Sequence, residues 1–261
     1  MKIIACCKAV PEEQDILVHE DGTLDFDRVA WKVGSYDLNA IEAARQLADA
    51  VGGQAVGLSV GGSALDASKL RKDILSRGLD SLVAVKVDDP EQLDTFGTAQ
   101  VLAAAIRQQG DVDLVLCGAG SSDEYAQQVG NQLGALLGVA TLNAVNKIEA
   151  GAAHNPSTVI VERVLESQVQ SIEVSLPAVL SLSSSINNPR IAGMKDILAA
   201  GKKQTAVSDP ASLGLPGSPA ASTAVVSVLA PSQAVRAGEV YEGDAADVSA
   251  RLAEILNTKL R

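Results

Sequence analysis

The sequence is poor in aromatic residues, in histidine, in cysteine and in positive charge. Aromatics make up 2% of 261 residues, with two histidines and three cysteines. A net charge of −11 argues against nucleic acid, whose phosphates require a basic surface. No uninterrupted apolar run approaches the roughly 20 residues of a spanning helix, so we expect no membrane insertion. Three cysteines, two of them adjacent, do not form a disulfide framework, which makes the cytoplasm the expected compartment.

The usual catalytic motifs are also missing. His19 falls in a predicted hairpin and His154 in a loop, and neither has a nucleophile nearby in the sequence. Cys6 and Cys7 are consecutive on a predicted strand and therefore face opposite sides, which argues against a shared metal site. The phosphate-binding pattern G-x-x-x-x-G-K-[ST] is absent, and no G-x-G-x-x-G follows the first strand. We therefore predict no metal site and no catalytic residues: a binding protein, not an enzyme.

What the sequence does have is a regular alternation of apolar strands and amphipathic helices. A hydrophobic content of 47% is enough for a large core. A hairpin is predicted around Asp21-Gly22. The alternation of strands and helices predicts an α/β fold with a doubly wound, mostly parallel sheet covered on both faces. The predicted strands are 2–7, 54–62, 81–87 and 112–118, and the predicted helices are 37–52, 63–77, 94–110 and 127–137.

The pattern changes in the second half of the chain. Residues 157–185 contain three β-rich segments, two of which form a hairpin around Glu166-Ser167. A short helix is predicted over 194–199, an extended connector over 205–223, a last strand over 224–230 and a last helix over 244–260. A connector of this kind either moves freely or lies along another protein. We expect a nucleotide-binding domain over 1–190 and a C-terminal extension over 191–261 that contacts a partner, because the last helix has an apolar stripe at Val248, Leu252, Ile255 and Leu256.

Three loops rich in small residues follow the first, second and fourth strands, at 6–10, 60–63 and 118–128. Ligands of doubly wound sheets bind at the carboxyl ends of the strands. Small residues let backbone N–H groups approach an anion, and the dipole of the following helix adds to the attraction. Each loop alone is also compatible with an ordinary strand-to-helix turn. Asp123 and Glu124 would repel a phosphate, and they are expected instead to cap the helix or to bind a ribose hydroxyl. Together the loops predict a nucleotide site.

Several segments resemble one family along essentially the whole chain. They are "CKAVPE", "GSYDLNAIEAA", "LRKDILSRGLDSLVAV", "VDLVLCGAGSSDEYAQQVGNQLGALLG" and "VERVLES…LPAVLSLSSSINNPRIAGMKDILAAGKK". The last is the most distinctive, with an L-P-A-V strand, N-x-P-R, a short helix and lysines. The chain resembles the beta subunit family of electron transfer flavoproteins.

The resemblance implies a Rossmann-like domain of the adenine-nucleotide-binding type (adenine nucleotide alpha hydrolase-like). It implies a heterodimer with an alpha subunit that holds most of a redox-active FAD. The beta subunit then binds AMP, or a second FAD, and electrons pass from a flavin-dependent dehydrogenase to an acceptor oxidoreductase. An alternative of another class is a stand-alone universal-stress-type protein that binds ATP or AMP. A compact stress-type domain would not need the tail beyond Ser185.

The resemblance also assigns residues. The flavin neighbour falls on Tyr36, which is also compatible with plain packing at a helix start. The nucleotide contacts fall on Cys6, Gly34, Val60, Gly118, Asp123, Gln127, Gln128 and Val129. The partner-recognition segment falls on Ile191, Met194, Ile197 and Lys202.

This chain departs from the family at two of these places. The family usually has Asn at Gly34, and Asn-Gln-Thr where this chain has residues 127–129, which removes a threonine hydroxyl from the phosphate. The usual acidic-Gly-Gly turn is replaced over residues 165–168. The sequence is therefore interpreted as a divergent paralogue.

Overall fold

The computed structural model describes residues 1–151, 157–217, 219, 221–232 and 238–259, so the loop assigned to His154 lies outside the described residues. The strands are β1 (Lys2–Cys6), β2 (Ala9–Pro11), β3 (Leu17–Val18), β4 (Leu24–Asp25), β5 (Trp31–Val33), β6 (Gln54–Gly61), β7 (Ser81–Lys86), β8 (Leu114–Gly118), β9 (Ala140–Ala150), β10 (Thr158–Val164), β11 (Val169–Ser175), β12 (Ala178–Leu182) and β13 (Gln204–Ser208). The helices are α1 (Ser35–Val51), α2 (Ser68–Ser76), α3 (Thr95–Gln108), α4 (Val129–Leu137), α5 (Met194–Ala200) and α6 (Ala245–Lys259).

Nine of these strands form one sheet in the order β11-β10-β9-β12-β8-β1-β6-β7-β13. Strand β1 lies between β6 and β8 and is parallel to both, with Ile4 opposite Val56 on one side and Val115 on the other. The only antiparallel pairings within this sheet, over the described residues, join β9, β10 and β11. The expected α/β doubly wound fold is confirmed, as is the β10–β11 hairpin. The β3–β4 pair confirms the hairpin around Asp21-Gly22.

The sheet has a hydrophobic core on each face because its central strands alternate their side chains. Ile3 packs in one core with Ile41 of α1 and Ile74 of α2. Ile4 packs in the other with Leu102 of α3 and Leu133 of α4. All six side chains are at most 4% exposed, and burying each such side chain contributes roughly 1.5–3 kcal/mol to folding. Helices on both faces leave only the ends of the strands free for a ligand.

In the second half of the chain one strand was missed and two predictions were wrong. Strand β9 was not predicted, because its exposed and buried residues do not alternate regularly. Residues 205–208 were assigned to a connector, but they belong to the edge strand β13, which pairs with β7. The predicted strand over 224–230 forms only one isolated bridge, between Thr23 and Leu229, within the described residues.

The connector after β13 begins on the surface of its own domain. Leu213 and Leu215 pack against the core under α3. Asp94 caps α3 through the N–H of Gly97, and its carboxylate also accepts the N–H groups of Ser222 and Thr223 at 2.7 and 3.1 Å.

Among the described residues, no helix combines the length and the apolar character needed to cross a bilayer.

Helix α4 approaches the sheet through two glycines. A Cβ on Gly130 would lie 2.2 Å from the hydroxyl of Ser181, and one on Gly134 would lie 1.8 Å from that of Thr141. We predict that Gly134→Ala lowers the free energy of unfolding by about 1–3 kcal/mol, because the added methyl group overpacks the contact with β9.

Urea denaturation measures this change. The control is Ala135→Ser, one position along the same helix and exposed, for which a change within about 0.5 kcal/mol is expected. Equal effects of the two substitutions would contradict a close approach of α4 to β9.

Candidate functional site

The strands β6, β1 and β8 are adjacent and parallel, so their carboxyl ends lie at one edge of the sheet. The three loops predicted to converge do leave the sheet at this edge. The loop after β1 is further fixed to its neighbours, because the N–H of Cys7 donates to Leu58 of β6 at 2.9 Å. The N–H of Ala119 donates to Leu182 of β12 at 2.8 Å. This edge is the candidate functional site.

The centre of the edge is the carboxylate of Asp37, in the first turn of α1. Its Oδ2 accepts the N–H of Lys8 at 2.7 Å, a distance typical of a charge-assisted hydrogen bond. Asp37 is 7% exposed. Burial raises the pKa of this carboxyl to about 7, although the N–H groups of Lys8 and Gly118 favour the ionised form. One side chain therefore interacts with the loop after β1 and with the end of β8.

Two predicted site glycines are explained by this carboxylate. A Cβ on Gly34 would lie 2.8 Å from Oδ2 of Asp37. A Cβ on Gly118 would lie 2.7 Å from Oδ1 and 2.8 Å from the Cβ of Tyr36. In addition, the N–H of Gly34 donates to the carbonyl of Lys8 at 3.0 Å. Both positions thus need glycine because backbone and carboxylate are in close approach, not because of an unusual φ.

Charged side chains lie across the mouth of the edge. The ammonium of Lys8 is 2.8 Å from a carboxylate oxygen of Asp123 and 3.3 Å from one of Glu124. Burial raises the pKa of Asp123, but hydrogen bonds from Lys8 and Ser121 outweigh it and hold that pKa below its usual range. Asp123 is therefore an ionised acceptor and is paired with a cation. The expected repulsion of a phosphate by Asp123 is reduced by this pairing.

Two tyrosines pack together beside these charges. The ring centroids of Tyr36 and Tyr125 are 5.2 Å apart, with the rings inclined by 38°. Tyr125 has a φ of 48°, in the left-handed region, and a Cβ on Gly120 would lie 2.6 Å from its ring. Gly120 therefore lets the ring lie on the loop backbone. Because Tyr125 is 47% exposed, the pair offers an accessible aromatic surface.

The start of α4 supplies backbone donors. Gln128 is its N-cap residue, and its side chain does not cap the first turn within the described part of the chain. Its Oε1 instead accepts the hydroxyl of Thr95, at the start of α3, at 2.9 Å. The N–H groups of the first turn are thus available to an anion. Gln127, with a φ of 59°, and Val129 flank this position.

The other two predicted nucleotide contacts are at strand ends. Cys6 is buried at the end of β1, and Val60 is half-buried near the end of β6. The structure thus brings Gly34, Tyr36, Gly118 and Asp123 together around Asp37. Within the described residues no hydrogen bond or ion pair joins Cys6, Val60 or Gln127 to that cluster's side chains, although Asp37 contributes to raising the pKa of Cys6.

Sequence reasoning missed Lys8, Asp37, Thr95 and Tyr125 as site residues. The signal for Asp37 was present, since an acidic residue three positions after a glycine opens a helix at the carboxyl edge. It was interpreted only as a helix start. Tyr125 had no sequence signal, because its position depends on a left-handed backbone and on the absent side chain of Gly120.

The segment 191–202 lies away from this edge and is held at both ends. Arg190 forms two hydrogen bonds with the carboxylate of Glu42 on α1, the shorter at 2.6 Å, through its guanidinium. Lys203 donates to the carbonyls of Leu75 and Leu79, at the end of α2, at 3.0 and 2.6 Å. Between these fixed ends several apolar side chains face solvent: Ile191 is 94% exposed, Met194 73%, Leu198 69% and Ile197 43%. Lys202 is exposed beside them.

The mostly parallel sheet with helices on both faces and small-residue loops at its carboxyl edge defines an α/β protein of the doubly wound class. The model of the electron transfer flavoprotein domain matches residues 21–213. The chain therefore belongs to the electron transfer flavoprotein family. Membership gives it a role in electron transfer in association with a flavin.

Asp37 makes the stability of the fold depend on pH. Its pKa rises from 3.8 to about 7 on folding, so the folded protein holds the proton more tightly than the unfolded chain. The contribution of Asp37 to stability is therefore full below pH 3.8 and is lost as the pH rises to about 7. Over that window the loss is about 4 kcal/mol.

The matched variant is Asp37→Asn, which does not titrate. From pH 5 to pH 8 we expect the free energy of unfolding of the wild type to fall relative to the variant by about 2–3 kcal/mol. Guanidinium denaturation of both proteins at pH 5 and at pH 8 measures this difference in the free energy of unfolding. A difference that does not change with pH would contradict a buried, titrating Asp37.

Proposed function

We propose that the chain is the beta subunit of a heterodimeric electron transfer flavoprotein. It binds AMP, or a second FAD, at the carboxyl edge of the sheet and helps to cover the FAD held mainly by an alpha subunit. The observation that carries the proposal is the edge itself: glycine-lined loops, a free helix start and an exposed tyrosine pair occur together in a chain of this family.

The residues of the edge fit an adenine nucleotide. The N–H groups at the start of α4 would hold the phosphate, assisted by the helix dipole. The ionised carboxylate of Asp123 is an acceptor for a ribose hydroxyl, which agrees with its lowered pKa. No lysine is needed to hold the phosphate, since Lys8 is already paired with Asp123 and Glu124.

The tyrosine pair fits the flavin. Tyr36 and Tyr125 present an aromatic surface on which a planar ring system can stack. The flavin supplies the redox chemistry when it is bound. The part of this chain is to position and cover the ring and to exclude water, which needs no catalytic side chain of its own.

The C-terminal part of the chain fits protein partners. Helix α6 has no buried residue among the described residues 245–259, and Leu252 and Leu256 of its apolar stripe are each nearly half exposed. Val225, Val226 and Val228 before it are at least 60% exposed. These surfaces would pack on the alpha subunit. The segment 191–202, fixed at both ends, would bind the flavin-dependent dehydrogenase, and an acceptor oxidoreductase then takes the electrons.

The first test identifies the ligand and the assembly. The chain is purified alone and after co-expression with an alpha subunit of the family, and the nucleotide released by denaturation is identified by mass spectrometry. We expect a heterodimer that releases FAD together with AMP, or FAD in twofold amount. A stable homodimer that releases ATP and no flavin would instead support the universal-stress alternative.

The second test addresses the nucleotide edge. Gly118→Ala is expected to lower the affinity for AMP at least about tenfold, because its Cβ would lie within 3 Å of Asp37 and Tyr36 and would displace both. Isothermal titration calorimetry measures the affinity.

The matched control for this substitution is Gly201→Ala. A Cβ on Gly201 meets no atom closer than 3.5 Å, so the affinity is expected to stay at the wild-type value. If both variants bind AMP with the wild-type affinity, the nucleotide does not bind at this edge of the sheet.

The third test separates the two protein surfaces. Leu256→Asp places a charge on the apolar stripe of α6 and is expected to reduce co-purification of the alpha subunit at least about tenfold. Met194→Asp, an equally drastic change at a side chain that is 73% exposed, is expected to leave the heterodimer intact. If Met194→Asp reduces co-purification and Leu256→Asp does not, the segment 191–202 binds the alpha subunit and α6 does not.

A further inference from the structure

The proposed function leaves open the role of the buried carboxylate of Asp37 at this edge. It comes from α1, whereas the nucleotide contacts come mostly from the loops after β1, β6 and β8. It nevertheless interacts with two of those loops. Its Oδ2 accepts the N–H of Lys8 at 2.7 Å, and the N–H of Gly118 favours the ionised form of the same carboxyl. Asp37 is 7% exposed, and a residue that acts by holding the two loops does not have to be accessible to the ligand itself.

The loop after β1 depends on this carboxylate for its position. The backbone of Lys8 is bound twice by the start of α1, through its N–H to Asp37 and through its carbonyl to the N–H of Gly34. The ammonium of Lys8 in turn pairs with Asp123 and Glu124 in the loop after β8. A shift of the Lys8 backbone therefore moves a cation that holds the opposite loop.

The protonation state decides how strong these interactions are. An ionised carboxylate accepts hydrogen bonds at both oxygens, whereas a protonated carboxyl has one oxygen that is a donor. Both neighbouring backbone groups, the N–H of Lys8 and the N–H of Gly118, are donors. A protonated Asp37 keeps some acceptor capacity, but both hydrogen bonds lose their charge assistance and the oxygen that carries the proton accepts more weakly, so the link between the two loops is weakened.

The charged and titratable groups that face Asp37 come from each element packed against it. Lys8 favours the ionised form from the segment after β1, and Asp123 opposes it from the loop after β8. The hydrogen bond with Cys117 and burial raise the pKa of the Cys6 thiol at the end of β1, and burial raises the pKa of the Cys7 thiol directly after it, so both thiols stay neutral. Burial outweighs the favourable groups, so the pKa of Asp37 is raised to about 7 and the carboxyl titrates near neutrality.

We propose that Asp37 is the positioning residue of the nucleotide site: its ionised carboxylate links the Lys8 segment to α1 and to the end of β8, and only the linked arrangement binds the nucleotide. The inference rests on the proposed AMP site. In this role Asp37 does not contact the nucleotide itself. It arranges the groups that do. Binding must therefore weaken as the pH falls and Asp37 takes up its proton.

The experiment is titration of the full chain with AMP by calorimetry between pH 5.5 and pH 8.5. For the wild type we expect constant affinity above about pH 7.5 and a loss approaching tenfold per pH unit below pH 7, the limit for one linked proton. Asp37→Asn is expected to bind more weakly at pH 8 and to lack this dependence, and Asp37→Glu is expected to restore it in part. Asp49→Asn, on the same helix and with a side chain 63% exposed, should follow the wild type.

The phosphate of AMP itself has a pKa near 6, and its titration is common to all four proteins, so the difference between wild type and Asp37→Asn isolates the residue. Asp37→Asn with the wild-type pH profile would overturn the proposal. So would wild-type affinity that rises as the pH falls, since the carboxylate would then act only by repelling the phosphate.

A measurement without ligand separates this inference from the proposed function. The amide proton of Lys8, followed by NMR, is expected to titrate with a midpoint near pH 7 in the wild type and to stay constant in Asp37→Asn. If the wild type binds no AMP at any pH, the proposed ligand is wrong, and with it the nucleotide role of Asp37. The Lys8 amide then still shows whether the carboxylate holds the loop.

Discussion

The hydrogen bond between the carboxylate of Asp37 and the N–H of Lys8 is the interaction around which the functional edge is arranged. It lies where α1 begins and where β1 and β8 end, and the backbone approaches it so closely that Gly34 and Gly118 cannot carry a side chain. Desolvation of this carboxylate opposes folding at neutral pH, and packing of the two cores compensates. A residue that destabilises the fold while it orders a site is typical of functional positions.

The glycine at position 34, where the resemblance leads us to expect asparagine, has a local explanation in the same interaction. With glycine at this position the carboxylate of Asp37 reaches the Lys8 backbone, whereas a Cβ would lie 2.8 Å from Oδ2. An asparagine there would have to displace the carboxylate. The departure expected at Val129 would have a different consequence, since it would remove a hydroxyl from the helix start and leave its backbone N–H groups in place. Departures at these two positions would therefore affect side-chain contacts more than the backbone donors that an anion needs.

The alternating strands and helices of the first 137 residues were predictable because each buried strand is a short apolar run and each helix has one apolar face. The strand at the side of the sheet and the segment that follows it were not predictable in this way. Strand β13 is short, mostly exposed and polar, and only its pairing with β7 makes it a strand. Residues 224–230 are the opposite case: β-branched residues favour a strand, but without a neighbouring strand the propensity has no effect, and Val226 is 97% exposed. Pairing is a tertiary property that a local pattern does not contain.

The same distinction separates the site residues that sequence reasoning found from those it missed. Gly118 and Asp123 lie in a loop whose composition and place after a strand already indicate a ligand. Asp37 and Lys8 gain their importance from a contact between residues 29 positions apart in the chain. Tyr125 gains its importance from the empty space above Gly120. The predictable part of the site is thus its backbone scaffold, and the unpredictable part is the set of side chains that hold its loops in one arrangement.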